Sequence, residues 1–416
     1  MAGKANEVTA VLVTVVSIGL LVQLGFAHRK TVRRLRLRDD QRPAPLAAYP
    51  PVTVIRPVKG VDVEQEANFQ AALDTGYPGD IETIFVLEDE DDPSYPMVRA
   101  ATGAHESAGA HGSARIVLAG TPPAGRTGKI NNMIVGEAEA RGNIIVFGDS
   151  DTRPDAAVLT NLVEHLVADG SAGAAFAPVV NPCRPRSAGD VGYTIIVNAY
   201  LVGGMETALG PGRTLPFLMG QTMAFRRSAL QDIGGVKCAD GQLVDDMYLG
   251  ARIVEAGYSN VMGTHPLQVI NHGLGFTGFL KLWRRWLFFG RGGIPSSFAL
   301  PFVTRAVSYF IALGLAIAML VTGHTWLAGL AAFVWILEGA HYIRLHRLIG
   351  GAAVPLRFLW MAWMPYITTI PLGLSMLIKP ELDWRGHTYR LDASARLRPA
   401  PPTGSDRPTP PPGGQT

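Results

Sequence analysis

Hydrophobic positions along this chain change their rhythm three times. Residues 8–27 form one uncharged apolar run, long enough to cross a bilayer as a single helix. From residue 52 to about 272 the apolar runs shorten, gain β-branched side chains and alternate with stretches of helical period. The strand-like runs are 52–58, 81–87, 116–119, 144–147, 174–180 and 219–225, and helical spacing falls at 130–140, 156–168 and 247–256. Long apolar stretches return at 306–322, 326–343 and 358–378. From residue 398 a Pro-rich tail holds too few apolar positions to fold and is expected to be disordered. Strands apolar on both faces, alternating with helices, predict an α/β fold around a mostly parallel sheet. One N-terminal transmembrane helix and a C-terminal membrane region of about three helices flank it.

Composition agrees with a membrane protein: 48% of the 416 residues are hydrophobic and only 17% are charged. A net charge of +3 gives no reason to expect a nucleic-acid partner, and two cysteines make neither a disulfide framework nor a metal site. Charge placement says more. Arg29, Lys30, Arg33, Arg34, Arg36 and Arg38 follow the first apolar run, so it reads as an uncleaved anchor with its C-terminal end in the cytoplasm. Arg344, His346, Arg347 and Arg357 put the link between the last two apolar stretches on the same side. Three full crossings would send the tail outside, whereas Lys379, Arg385, Arg390, Arg396 and Arg398 draw it inside. Glu338 in the middle stretch is expected to face protein, and Pro365 and Pro371 to kink the last one. The organisation expected is a tail at 1–7, an anchor at 8–27, a basic linker at 28–50 and a catalytic domain at 51–275. After it come an interfacial amphipathic helix at 276–295, membrane segments at 296–380, a further segment at 381–397 and the tail at 398–416.

Ligands of an open α/β sheet bind at the carboxyl ends of its strands, and acidic residues gather there. Glu88 to Pro93 follows the second run, and Asp149-Ser150-Asp151 follows the fourth. Two carboxylates one residue apart at a strand end suit one hard divalent cation, Mg²⁺ or Mn²⁺, with room for substrate phosphates, although Asp and Ser also make ordinary solvated turns. Asp245-Asp246 opens a helix, as an N-cap does, and in a ligand crevice such an aspartate also serves as a general base. Lys129, after a glycine-flanked loop, is a phosphate contact or a plain helix start. Trp283-Arg284-Arg285-Trp286 reads either as an interfacial belt or as a diphosphate clamp beside a stacking ring. Residues 191–209 are apolar enough for an interfacial helix or a buried crossover.

Taken in order, Arg56-Pro57-Val58-Lys59-Gly60-Val61-Asp62, Glu88 to Pro93, Gly128-Lys129-Ile130-Asn131-Asn132, Gly148-Asp149-Ser150-Asp151, Gly220-Gln221-Thr222-Met223, Val244-Asp245-Asp246 and Arg285-Trp286 resemble the GT-A glycosyltransferases of family 2. The nearer likeness, over nearly the whole chain, is to ceramide glucosyltransferases and related bacterial lipid glycosyltransferases. That resemblance implies an inverting transferase carrying a hexose, glucose from UDP-glucose by analogy, to a lipid hydroxyl, with ceramide the nearest analogue. A hopanoid, diacylglycerol or polyprenyl phosphate acceptor would suit the same frame. It implies a multi-pass protein of a bacterial inner membrane with its catalytic domain in the cytoplasm. It further implies nucleotide-sugar contacts at Asp89, Asp92, Lys129 and Asp149, a cation on Asp149 and Asp151, and Asp246 as base. Asp245, Arg285 and Trp286 then face the acceptor or the diphosphate. Leu282 departs from the family's Gln or Arg at that position, and Trp384-Arg385-Gly386 with Tyr389-Arg390 resembles a segment found after the last membrane element. Two rivals stand beside this reading. A nucleotidyltransferase wants a glycine-rich loop after the first strand, which residues 52–60 lack; a non-catalytic membrane scaffold would need degenerate carboxylate sites.

Overall fold

A computed structural model of the chain describes residues 2–36, 39–123, 125–201, 215–293, 296–378, 381–384, 387–391 and 397–399. In chain order the helices are α1 (Ala2–Arg36), α2 (Gln65–Leu73), α3 (Tyr95–Ser107), α4 (Gly128–Glu139), α5 (Val158–Ala168) and α6 (Ala188–Ile195). They continue with α7 (Arg227–Asp232), α8 (Asp245–Glu255), α9 (Phe276–Gly293), α10 (Ser296–Val321), α11 (Thr325–Leu348) and α12 (Met364–Ile378). The strands are β1 (Val52–Pro57), β2 (Ile81–Leu87), β3 (Ser113–Leu118), β4 (Ile144–Gly148), β5 (Thr152–Arg153), β6 (Ala172–Phe176) and β7 (Val179–Val180). After them come β8 (Thr222–Arg226), β9 (Ser259–Met262), β10 (Leu267–Val269), β11 (Glu381–Trp384), β12 (His387–Leu391) and β13 (Leu397–Pro399).

Seven strands form the central sheet in the order β3-β2-β1-β4-β8-β6-β9. The chain builds outward from β1 to β3, then returns through α4 to lay β4 on the other side of β1. The order therefore reverses between β1 and β4, the place where an open α/β sheet offers a ligand crevice outside the carboxyl ends of its strands. Both faces are buried, as the apolar runs require. Ile55, Ile145 and Phe147 pack against Ile130 and Met133 of α4, while Val54, Ile144 and Val146 pack against Leu159, Leu162 and Val163 of α5. Burying each such side chain contributes roughly 1.5–3 kcal/mol. Gly136 lets α4 lie close on β1, because a Cβ there would collide with Ile55.

Two strand expectations change on folding. The run at 219–225 enters the sheet as β8, antiparallel to both β4 and β6, which makes the sheet mixed. The run at 174–180 breaks into β6 and β7, and β7 joins β5 and β10 in a small second sheet under the crevice.

The anchor helix continues through its basic residues to Arg36, since Lys and Arg are good helix formers. It packs on α10 and α11. By length and composition, Glu7–Arg36, Thr325–Leu348 and Leu356–Ile378 reach a membrane crossing, and Tyr309–Val321 is a shorter apolar helix. The last crossing begins as a 3-10 helix, Leu356–Trp363, and carries Pro371 inside α12. Glu338 is fully buried against protein. Residues 189–200 are buried below α9 and α11, which favours the buried crossover for this segment, while 202–214 lie outside the described residues. Also outside them are Arg38, Lys379, Arg385, Gly386, Arg396 and the tail from residue 400; Arg398 and Pro399 belong to β13.

Candidate active site

The Asp149-Ser150-Asp151 turn leaves β4 at the point where the sheet order reverses, and the chain clamps it from below. Arg56, a lone arginine in apolar β1, is buried and donates through Nη2 to the carbonyls of Asp149 at 2.7 Å and Thr152 at 3.0 Å. Burial brings its pKa down to about 10, against the pull of Asp149, Asp151 and Asp62, so it stays a cation under the turn. Ser150 donates to Asp62, and the Ile270 amide donates to the Asp151 carbonyl at 2.9 Å. Beside Asp62, Glu64 adopts left-handed backbone with φ +51 and takes Arg153 at 2.8 Å and His272 at 3.0 Å on its carboxylate. The loop after β1 thereby straps the turn to the segment after β10.

On one side of the turn lies a compact charged group. Thr127 caps α4 by accepting from the Ile130 amide at 3.3 Å, which sets Lys129 in the first turn of that helix. The Lys129 ammonium sits 2.9 Å from Asp149 Oδ1 and 3.4 Å from Asp245 Oδ2. Burial works against this cation, but Asp149, Asp245 and Asp246 outweigh it and hold its pKa above the ordinary lysine value. Asp246 accepts from the Gly220 amide at 2.7 Å and from the Met247 amide at 2.8 Å. Only glycine allows this approach, since a Cβ at 220 would stand 2.8 Å from Asp246 Oδ2. Burial first, then the neighbouring Asp245, push the Asp246 carboxyl up to about 7, with Lys129 and the two amides opposing.

On the other side stand Tyr193 of α6 and two residues of α9. The Trp286 ring lies 5.7 Å from that of Tyr193. Burial raises the Tyr193 phenol, the Asp151 charge raises it further and Arg285 opposes, so Asp151, Tyr193 and Arg285 share one electrostatic neighbourhood. Leu282 packs with Val179, Tyr193, Val197 and Val269 next to Trp286, an apolar niche that would reject a charge. The other half of the Trp-Arg-Arg-Trp run faces away. Trp283 donates to the Pro365 carbonyl at 3.2 Å, and Arg284 to Ser375 at 3.2 Å and the Glu381 carbonyl at 3.1 Å.

Of the residues expected from sequence, the fold brings Lys129, Asp149, Asp245 and Asp246 into contact and sets Asp151, Arg285 and Trp286 around Tyr193. Asp89 and Asp92 stand apart in the loop after β2. Asp89 accepts from the Asp91 amide at 3.0 Å and is exposed. Asp92 accepts from the Gly60 amide at 3.0 Å and from Ser94, which ties two loops together. Arg56, Asp62, Glu64 and Tyr193 had no role assigned from sequence, although an arginine inside an otherwise apolar strand was a signal for the first. The donors in the crevice are carboxylates, the oxygen chemistry a hard cation takes, but among the described residues no three His, Cys, Asp or Glu side chains gather as a metal site, and the Lys129 ammonium already stands against Asp149 and Asp245.

Such a crevice, with carboxylates at the switch point of a mixed α/β sheet and a membrane helix on either side of it in sequence, is matched by one family model, "Glycosyl transferase family 21", over residues 10–397. The chain belongs to glycosyl transferase family 21. Ceramide glucosyltransferase 1 of Caenorhabditis elegans is 22% identical to this family 21 chain over 374 residues, 87% of the chain and 76% of the relative. The ceramide glucosyltransferase of Gibberella zeae is 31% identical over 189 residues, 42% of the chain and 33% of the relative. Among solved structures, a mannosyltransferase from Pyrobaculum calidifontis in complex with GDP-Man and Mn²⁺ superimposes with a TM-score of 0.52. It is 18% identical and covers 86% of this chain and 99% of its own, a likeness of GT-A fold. The family 21 chain is a glycosyltransferase.

Proposed function

We propose that the chain transfers a hexose, glucose from UDP-glucose, to the primary hydroxyl of a membrane lipid of the ceramide type, with inversion at the sugar, on the cytoplasmic face. The observation that carries this reading is the enclosed Asp246, with a pKa near 7, beside the Lys129–Asp149–Asp245 group. A general base works best when its pKa lies near the operating pH. In this mechanism Asp246 accepts the acceptor hydroxyl proton while the oxygen attacks the anomeric carbon. The bond from that carbon to the diphosphate oxygen breaks on the opposite face, and the configuration inverts. Lys129 and Arg285 bind the diphosphate from the two sides of the turn, and Trp286 with Tyr193 offers an aromatic wall to sugar or acceptor. Asp89 and Asp92, in the loop after β2, are assigned to the nucleoside end of the donor. Asp149 and Asp151 would hold Mg²⁺ or Mn²⁺, which supplies neutralising charge for the leaving diphosphate.

Orientation is supported by where the positive helix ends lie. α1 ends in Arg33, Arg34 and Arg36, and α11 in His346 and Arg347. His28 meets His341 at 2.8 Å, and His346 bonds to Asn198 of the catalytic unit at 2.9 Å, so both basic ends flank that unit. The reading is tested with the full-length protein in vesicles containing ceramide, supplied with radiolabelled UDP-glucose and Mn²⁺. Label should enter a glucosylceramide whose anomeric NMR coupling shows the β configuration from the α donor. Label in an α-linked product would overturn inversion, and label in a lipid other than ceramide would replace the acceptor.

A further inference from the structure

Arg126 and Asp240 lie far apart in sequence, and the fold joins them beside the crevice. Arg126 stands in the loop from β3 to α4, shortly before Lys129. Asp240 follows the 3-10 helix Val236–Ala239, shortly before Asp245. Arg126 Nε lies 3.1 Å from each carboxylate oxygen of Asp240, and Nη2 reaches Oδ2 at 2.5 Å. Its Nη1 donates to Asn131 Oδ1 at 3.2 Å, and the Asn131 amide donates to the carbonyls of Ala119 and Gly120 at 3.3 and 3.2 Å. The Asp240 hydrogen bond raises the guanidinium pKa, and the same bond holds the Asp240 carboxyl below its ordinary value. A forked pair of this kind fixes angle as well as distance.

A second ionic crossing runs parallel to it, from Lys129 to Asp245 at 3.4 Å. At the other end of α4, Glu137 accepts the Val236 amide at 2.8 Å. The segment that delivers Asp245 and Asp246 is thus pinned along α4 at both ends. Gly241, at φ +75, lets the chain turn from the latch toward α8.

We propose that the Arg126–Asp240 pair is a positioning latch, which sets Asp246 at its working distance from the Asp149-Ser150-Asp151 turn and from Lys129. The inference rests on reading Asp246 as the base. The pair is partly exposed, with side chains 17% and 34% accessible, so solvent screens part of its attraction, while its fork still fixes direction and bears on the alignment of reacting groups.

The test compares full-length wild type with Arg126→Gln, Asp240→Asn, the double variant and the swap Arg126→Asp with Asp240→Arg. Transfer from UDP-glucose and thermal unfolding are both measured. Each single variant should lose on the order of tenfold or more in kcat, with the donor KM changed by less than about threefold. The double variant should be no worse than either single one, and the swap should recover most of kcat. Unfolding temperature should move by less than about 2 °C. Arg126→Lys, which keeps the charge and loses the fork, should fall between wild type and Arg126→Gln. Unchanged kcat in the single variants, alongside an inactive Asp246→Asn, would overturn the latch and leave the base standing. Parallel loss of kcat and unfolding temperature that the swap does not restore would make the pair structural and also overturn the latch. Normal turnover by Asp246→Asn would instead remove the reading on which the latch depends.

Discussion

A carboxyl enclosed beside a second carboxyl holds its proton more tightly than one in water, and Asp246 is such a group. The fold raises it from 3.8 to about 7, through burial and the adjacent Asp245. Because its folded pKa is the higher one, its contribution to stability is fully present below the ordinary value of 3.8 and is lost as pH rises through about 7. On the proposed role of Asp246 as base, activity runs the other way, since a base works only when deprotonated. The rate of transfer should therefore climb with pH through a midpoint near 7, while the unfolding temperature declines as pH rises from 3.8 and levels off above about 7. Asp246→Asn should lose that decline, and at pH 8 should unfold about 2 °C or more above wild type. A pH profile flat between 6 and 8, with Asp246→Asn less stable than wild type at pH 8, would contradict the shifted carboxyl. Asp246 was legible in the sequence as an acidic helix start. Its raised pKa was not, because that comes first from burial in the folded crevice, which outweighs the opposing Lys129 charge and the Gly220 amide, and burial is not readable from the spacing of the chain.

At the scale of elements, the join between the apolar C-terminal helices and the catalytic unit is an apolar cluster around Val191, Ile195 and Tyr200 with one buried asparagine in it. The turn of π-helix Ile196–Leu201 after α6 carries Asn198, which is fully buried. Asn198 Oδ1 accepts from the Asn181 amide at 2.7 Å, and Nδ2 donates to the Asn181 carbonyl at 2.9 Å and meets His346 Nδ1 at 2.9 Å. Asn181 in turn donates to the Asn271 carbonyl at 2.9 Å, next to the Ile270 amide that bonds to Asp151. Asn198→Ala strands buried groups on β7's exit and on α11, at about 1–3 kcal/mol for each. It should lower the unfolding temperature by about 4 °C or more and expose the α11 end to trypsin; an unchanged melt would refute this join. None of this was visible in the chain, where residues 191–209 showed only an apolar run. The strands and helices of the sheet were legible because apolar spacing dictates them, with β8 the exception. Nothing in the spacing of 219–225 tells whether a strand runs up or down beside its neighbours. Leu282 likewise looked like a lost polar residue, and the fold shows the apolar niche that it fills beside Trp286.

For the whole molecule, an apolar frame at both ends of the chain and an acidic crevice between them were both readable before the fold was known. What had to be seen in three dimensions is that the crevice is two-sided. Lys129, Asp245 and Asp246 face Asp149, while Tyr193, Arg285 and Trp286 gather toward Asp151. α9, which carries Arg285 and Trp286, packs on α6 and α12, so the apolar C-terminal helices and the crevice share one element. That arrangement suits an acceptor whose hydroxyl reaches the crevice while its tails stay in the bilayer. The most direct measurement is label transfer from UDP-glucose to ceramide by membrane-embedded wild type and Asp246→Asn, with UDP binding measured on both. Wild type should label the lipid, whereas Asp246→Asn should bind UDP normally and transfer about a hundredfold or more slowly. Equal transfer by both proteins would contradict Asp246 as base, and no transfer by wild type from any common nucleotide-sugar would contradict the lipid glycosyltransferase reading itself.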